Sequence, residues 1–147
     1  MKVLVLHGVN LNMFGKRDPK QYGTITLDEI NRKLAALGQE LGVEVATFQT
    51  NAEGEMCERI HAAFDEGVDA VVINPGAWTH YSYAIHDALE ILTVPVVEVH
   101  MSDIHAREPF RKVSVVAPIA RERIMGHGVD SYLMGLKAAV AAAKATR

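Results

Sequence analysis

Apolar residues recur along this chain at two different spacings. Lys2 to His7 holds an almost unbroken apolar run, and Val43 to Gln49, Ala70 to Ile73, Pro95 to Val99 and Val113 to Val116 are further runs rich in β-branched residues. Runs of this kind suit strands buried on both faces, at the centre of a parallel sheet. Between them the spacing becomes helical. Leu27, Ile30, Leu34, Leu37 and Leu41 mark one face of a helix, and Gly42 stops it. Thr26-Leu-Asp-Glu29 reads as a capping box at its start. Asn51 is expected to cap a second helix, with Met56, Ile60, Ala63 and Phe64 inward and Gly67 at its end. Ala84, Ile85, Ala88 and Leu89 mark a third helix, and an Ala-rich helix runs from Asp130 to about Lys144.

Strand and helix thus alternate throughout, which predicts a parallel sheet with helices on both faces. The expected fold is α/β, a flavodoxin-like three-layer sandwich whose five-stranded parallel sheet has the order 2-1-3-4-5. Ligands in such sheets sit beyond the carboxyl ends of the strands, near the switch point between strands one and three. The loops after strands one, three and four should therefore surround one pocket. The first of these is unusually long, from Gly8 to Ile25. Long loops inside compact domains are commonly functional, and this one reads as a mobile lid bearing catalytic side chains.

Composition narrows the picture only a little. The chain has 147 residues, 49% hydrophobic and 22% charged, which is ordinary globular composition. One catalytic domain over residues 1–147 is expected, with no linker, repeat or second core. A net charge of -3 gives no electrostatic reason to expect nucleic acid or an acidic membrane as partner. Cys57 is the only cysteine and reads as a small buried filler. No apolar run approaches the roughly 20 residues that a membrane span needs. The chain starts on strand one rather than on a signal peptide, so a cytoplasmic location is expected.

The three loops bring a particular chemistry. The first carries Asn10, Asn12, Arg17 and Tyr22; the third Asn74 and His80; the fourth His100, Ser102, Asp103, His105, Arg107 and Arg111, with Glu98 just inside its strand. No Gly-rich phosphate fingerprint and no HExxH or Cys/His cluster occurs, so neither a cofactor nor a metal is expected. What remains is an acid/base site with amides and cations for an oxygen-rich anion, hence a small-molecule substrate. A free tyrosine titrates at about pH 10, and a guanidinium nearby favours its phenolate. Arg17 lies five residues before Tyr22, so Tyr22 reads as a general base. His100 reads as the acid for a leaving hydroxyl, and Glu98 as the carboxylate that orients it. His7, ending a buried strand, reads as a hydrogen-bonded core residue.

At this point the residues resemble a family. His7-Gly-Val-Asn10-Leu-Asn12-x-x-Gly15-x-Arg17-x-x-x-x-Tyr22-Gly23 looks like the signature of type II 3-dehydroquinate dehydratases. The likeness continues through Gln49-Thr-Asn-x-Glu-Gly-Glu55, Asn74-Pro-Gly-Ala-x-Thr-His80, Ala84-Ile-x-Asp-Ala88, Glu98-Val-His100-x-Ser102 and Arg107-Glu-Pro-Phe-Arg111. The resemblance implies dehydration of 3-dehydroquinate to 3-dehydroshikimate by anti elimination through an enolate, without cofactor or Schiff-base lysine. It makes Tyr22 the base tuned by Arg17, and His100 the acid. Asn10 and Asn74 would hold a water and the enolate oxygen. Asn74, His80, Arg111 and the backbone amides of Met101 and Ser102 would bind ring hydroxyls and the carboxylate. It also implies a homo-oligomer, a dodecamer of four trimers in which Asp87 reaches a neighbouring subunit's site. The chain departs from the family pattern at Val9, Tyr81, His86 and Asp103.

Two other readings fit the fold: a flavodoxin-like binding or signalling module, and another metal-free lyase acting on a polyhydroxy acid. A receiver domain would carry an acidic cluster after strand one and an Asp after strand three. Those places hold His7-Gly8 and Asn74.

Overall fold

The computed structural model describes residues 1–146. Its sheet has five parallel strands, β1 (Lys2–His7), β2 (Glu44–Gln49), β3 (Ala70–Asn74), β4 (Val96–His100) and β5 (Glu122–Met125), in the order β2-β1-β3-β4-β5. That is the doubly wound order expected from the alternation. Because side chains alternate across a strand, β1 feeds both layers. Val3 and Val5 pack with Ile30, Leu34, Tyr132 and Leu136. Leu4 and Leu6 pack with Met56, Ile60, Ile85 and Leu89. The first layer holds α2 (Leu27–Leu41) and α5 (Val129–Ala145); the second holds α3 (Glu53–Glu66) and α4 (Tyr83–Ile91). Leu34 is fully buried, and burying a leucine of this kind contributes about 1.5–3 kcal/mol.

The capping box forms as expected: Thr26 Oγ1 accepts from Glu29 N, and Glu29 Oε1 accepts from Thr26 N. Gly42 closes the helix in the left-handed region, with φ 70°. Several other expectations are corrected. The fifth strand is Glu122–Met125, not Val113 to Val116. As an edge strand it is short and carries charge, so its pattern does not read as a strand. Val113 to Val116 instead runs irregularly beside the site. Val116 is fully buried, Val115 N donates to Thr79 O, and Ser114 Oγ accepts from Val116 N and Ala117 N. Phe64 and Ala84 face outward rather than into the core. In α3 the inward stripe is Met56, Ile60 and Ala63, and Phe64 falls beside it. Cys57 is half-buried, not a core filler.

Asn51 does not cap α3; Ala52 stands at that position and Thr50 Oγ1 accepts from its N–H. Asn51 Oδ1 is taken by Asn10 N at 2.8 Å and by Gln49 Nε2 at 3.1 Å. A residue expected to start a helix thus anchors the loop after β1. That loop is also less irregular than its composition suggests. Leu11–Met13 forms a 3₁₀ turn, and α1 (Pro19–Tyr22) is a single helical turn capped by Asp18, whose side chain accepts from Lys20 N. Leu11, Phe14 and Tyr22 are buried beneath it. Among the described residues, no helix is long and apolar enough to cross a membrane.

Candidate active site

The carboxyl ends of β1, β3 and β4 lie side by side. His7 pairs in register with Asn74, and Ile73 with Glu98. The loops leaving β1 and β3 pass so closely that they tolerate no side chain. A Cβ at Gly8 would lie 2.3 Å from Pro75 O, and one at Gly76 would lie 2.8 Å from Val9 O. Gly8 N also donates to Asn74 O at 2.8 Å. Asn10 follows with φ 68°, the one positive-φ residue other than glycine among those described. Asparagine tolerates this region better than most side chains. This crossing opens a crevice of about 140 Å³ at the strand ends.

Asn10, Arg17, Tyr22, Asn74, His80, His100, Met101, Ser102 and Arg111 all line that one crevice. Of the residues expected at the site, Glu98 and Asp87 do not. Glu98 lies behind His100. Asp87 is on the exposed side of α4, where its Oδ1 is 3.0 Å from His86 Nδ1.

Tyr22 sits at the lid side of the crevice. Its phenol oxygen accepts from Arg17 Nη2 at 2.8 Å and from Arg107 Nη1 at 2.7 Å. The Arg17 guanidinium also lies over the ring, 3.9 Å from its centroid. Charge-assisted bonds are roughly twice as strong as neutral ones, and two cationic donors converge on this one oxygen. Arg107 donates further to Ser102 Oγ at 3.2 Å, which joins the lid to the loop after β4. Arg107 is the site residue that sequence reasoning left unassigned. Its signal was present in the Arg107-Glu-Pro-Phe-Arg111 motif, but Arg17, nearer in sequence, already accounted for the tyrosine.

His100 sits on the opposite construction. Its Nε2 is 2.7 Å from Glu98 Oε2, which leaves Nδ1 for the crevice. Glu98 is fully buried, yet it is thoroughly partnered. Thr79 Oγ1 donates to Oε2 at 2.6 Å, Arg123 Nε to Oε1 at 2.9 Å, and Ser114 Oγ lies within reach of both oxygens. Burial alone would raise the carboxyl pKa. The bond and charge of His100, the Thr79 hydroxyl and the Arg123 charge outweigh it and bring the value down to about 2. Glu98 is therefore an anion, and its bond to Nε2 fixes the orientation of the His100 ring.

His80 Nδ1 donates to Val113 O at 2.7 Å. Burial lowers its pKa, the Val113 bond opposes this, and the neighbouring His100 and Arg111 charges lower it again. A neutral ring with hydrogen on Nδ1 offers Nε2 to the crevice as an acceptor. Arg111 lines the crevice while its Nε donates to Glu108 Oε2 at 2.8 Å. Of the departures from the family pattern, Asp103 caps the next 3₁₀ turn through His105 N, and Tyr81 is exposed.

Fold and crevice together define a class: a doubly wound α/β protein whose strand-end site pairs an arginine-held tyrosine with a carboxylate-held histidine. A family model described as dehydroquinase class II matches residues 1–140. The chain belongs to that family. It is 71% identical over 140 residues to the 3-dehydroquinate dehydratase of Leptothrix cholodnii, covering 95% of this chain and 94% of that one. It is 67% identical over 138 residues to that of Syntrophotalea carbinolica, covering 94% and 93%. Among solved structures, the type II dehydroquinase from Butyrivibrio crossotus superposes with a TM-score of 0.93 at 38% identity, covering 95% of this chain and 97% of that one.

Proposed function

We propose that the protein dehydrates 3-dehydroquinate to 3-dehydroshikimate, with Tyr22 as base and His100 as acid. The observation that carries this reading is the pairing of those two side chains in one crevice, each held by charge of the opposite sign. The Tyr22 phenolate takes a proton from C2, next to the ketone. The electrons delocalise onto the ketone oxygen, and this enolate is held by donors from Asn10 and Asn74 with a bound water. As the enolate collapses, the C1–O bond breaks. His100 Nδ1 gives its proton to the departing hydroxyl, which leaves as water. The ring gains one double bond and loses one water; Tyr22 has gained a proton and His100 has lost one. Exchange with solvent restores both. Base and acid come from different walls, the lid and the end of β4, which supports anti elimination.

Arg111, the His80 Nε2 acceptor and the amides of Met101 and Ser102 would hold the carboxylate and hydroxyls. Assembly as a dodecamer of four trimers, with Asp87 entering a neighbour's site, is part of the same reading, as is a cytoplasmic location. The exposed position of Asp87 on α4 supports the first. The direct test is to incubate the protein with 3-dehydroquinate and follow the absorbance of the conjugated enone. Turnover supports the reading, and a folded protein without turnover ends it. Mass in solution tests the assembly.

A further inference from the structure

Behind Asn74, a row of polar groups, buried up to the half-buried Asn31, crosses the layer formed by α2 and α5. Asn74 Nδ2 is 3.0 Å from Tyr132 Oη, Tyr132 Oη is 2.9 Å from His7 Nδ1, and His7 Nε2 is 2.8 Å from Asn31 Oδ1. Tyr132 and His7 are both 0% exposed, and Asn74 is 3% exposed. None of the steps above uses Tyr132, His7 or Asn31.

Counting donors and acceptors gives this row a single direction. Gly76 N–H is a donor only, and its partner at 3.1 Å is Asn74 Oδ1. That contact fixes which end of the carboxamide is which, so Nδ2 donates to Tyr132 Oη. The phenol has one hydrogen, and among the described residues the remaining partner for it is His7 Nδ1. His7 Nδ1 must then be bare, and the ring hydrogen lies on Nε2, donating to Asn31 Oδ1. Each group is committed by the one before it. Burial supports the same protonation states. It raises the Tyr132 pKa against the opposing Asn74 bond, so the phenol keeps its hydrogen. It lowers that of His7 to about 4 against the opposing Asn31 bond, so the imidazole is neutral.

We infer that Tyr132 and His7 are positioning residues that hold the Asn74 carboxamide with its N–H, rather than its carbonyl, available to the crevice. One Nδ2 hydrogen is used in the row and Oδ1 is engaged by Gly76, which leaves the second Nδ2 hydrogen for a ligand. A fixed donor suits an oxygen that becomes negative during reaction and gives little to a neutral ketone. The inference rests on the dehydration reading for what that oxygen is. The polarity of the carboxamide follows from the hydrogen bonds alone.

The test uses Tyr132→Phe, His7→Leu and His7→Asn in the full chain. Loss of one neutral hydrogen bond that strengthens in the transition state corresponds to about a tenfold fall in kcat. Tyr132→Phe and His7→Leu should each show it, with KM changed less than about threefold. The double variant should fall no further than either single one, since both break one row. In His7→Asn, Oδ1 can take the place of Nδ1 as acceptor, so this variant should recover most of the loss. Unchanged kcat in Tyr132→Phe overturns the inference, as does a His7→Asn variant no better than His7→Leu at equal melting temperature. A second arm does not depend on turnover. ¹⁵N spectra of the histidine-labelled protein, with the His7 signals identified by their loss in His7→Asn, should show hydrogen on Nε2 and none on Nδ1. The opposite tautomer overturns the direction of the row even where the dehydratase reading stands. Absent turnover in the parent protein, with the Nε2–H tautomer found, sinks the reaction and leaves the polarity intact.

Discussion

The two walls of the crevice are built on different principles. The histidine wall is strand and buried network: His100 ends β4, and its partner Glu98 is fully enclosed with four side chains around it. The tyrosine wall is loop: Tyr22 ends a single helical turn, and its two guanidinium partners come from segments far apart in sequence. A buried carboxylate holds its charge and position whether or not the lid is in place. A phenol oxygen held by Arg17 and Arg107 has its electrostatic setting only when both loops are closed on each other. His100, the proposed acid, is thus preorganised by the core, whereas Tyr22, the proposed base, depends on the meeting of two loops.

Four experiments can break this contrast. The largest effect should follow removal of the base. Tyr22→Phe should lower kcat by about a thousandfold while KM changes little, because a positioned base of this kind contributes roughly 10²–10⁴-fold. Steady-state kinetics decides it, and near-normal kcat would move the base elsewhere. Next comes Glu98→Gln. It should lower both activity and stability, the latter by about 3–5 kcal/mol, since Arg123 and His100 lose a buried anion. Urea melts would read this, and a loss of activity alone would mean that the network is not structural.

Smaller effects are expected on the lid. Arg17→Ala and Arg107→Ala should each cost about tenfold in kcat and leave the unfolding free energy within about 1 kcal/mol of the parent, because their partner is a loop residue. Should Arg107→Ala unfold the protein instead, the contrast between walls fails. The last signature is in the pH dependence of stability rather than in turnover. His7 has its folded pKa lowered from 6.5 to about 4. The unfolded chain therefore binds the proton first as pH falls. Stability is full above about pH 6.5 and declines toward pH 4, by about 3 kcal/mol in all. Glu98 likewise has a lowered folded pKa, 4.5 to about 2, so its contribution is lost over that more acidic interval. Chemical denaturation at a series of pH values, with His7→Asn as reference, separates the two.

The same contrast explains what was legible in the sequence. β1, β3 and β4 read clearly because central parallel strands are apolar on both sides, and the 2-1-3-4-5 order followed from their alternation with helices. β5 did not, because Glu122 and Arg123 at a sheet edge look like loop. The crevice residues were legible as types at strand ends and were ordered by the family resemblance. What stayed hidden depended on three-dimensional meeting. Arg107 reaches Tyr22 across 85 positions, Asn51 turns from a helix start to hold Asn10, and Tyr132 meets Asn74 across 58. Spacing along a chain carries no record of such pairs, whereas the five-residue step from Arg17 to Tyr22 does.

The central claim is that the proposed base and acid act on one ring from different walls, the loop after β1 and the end of β4. It is tested most directly with 3-dehydroquinate carrying deuterium at C2 on the side anti to the C1 hydroxyl. Mass spectra of the product should show the deuterium gone. A 3-dehydroshikimate that keeps its label would mean that hydrogen and hydroxyl leave from one face, which contradicts the anti elimination proposed for Tyr22 and His100.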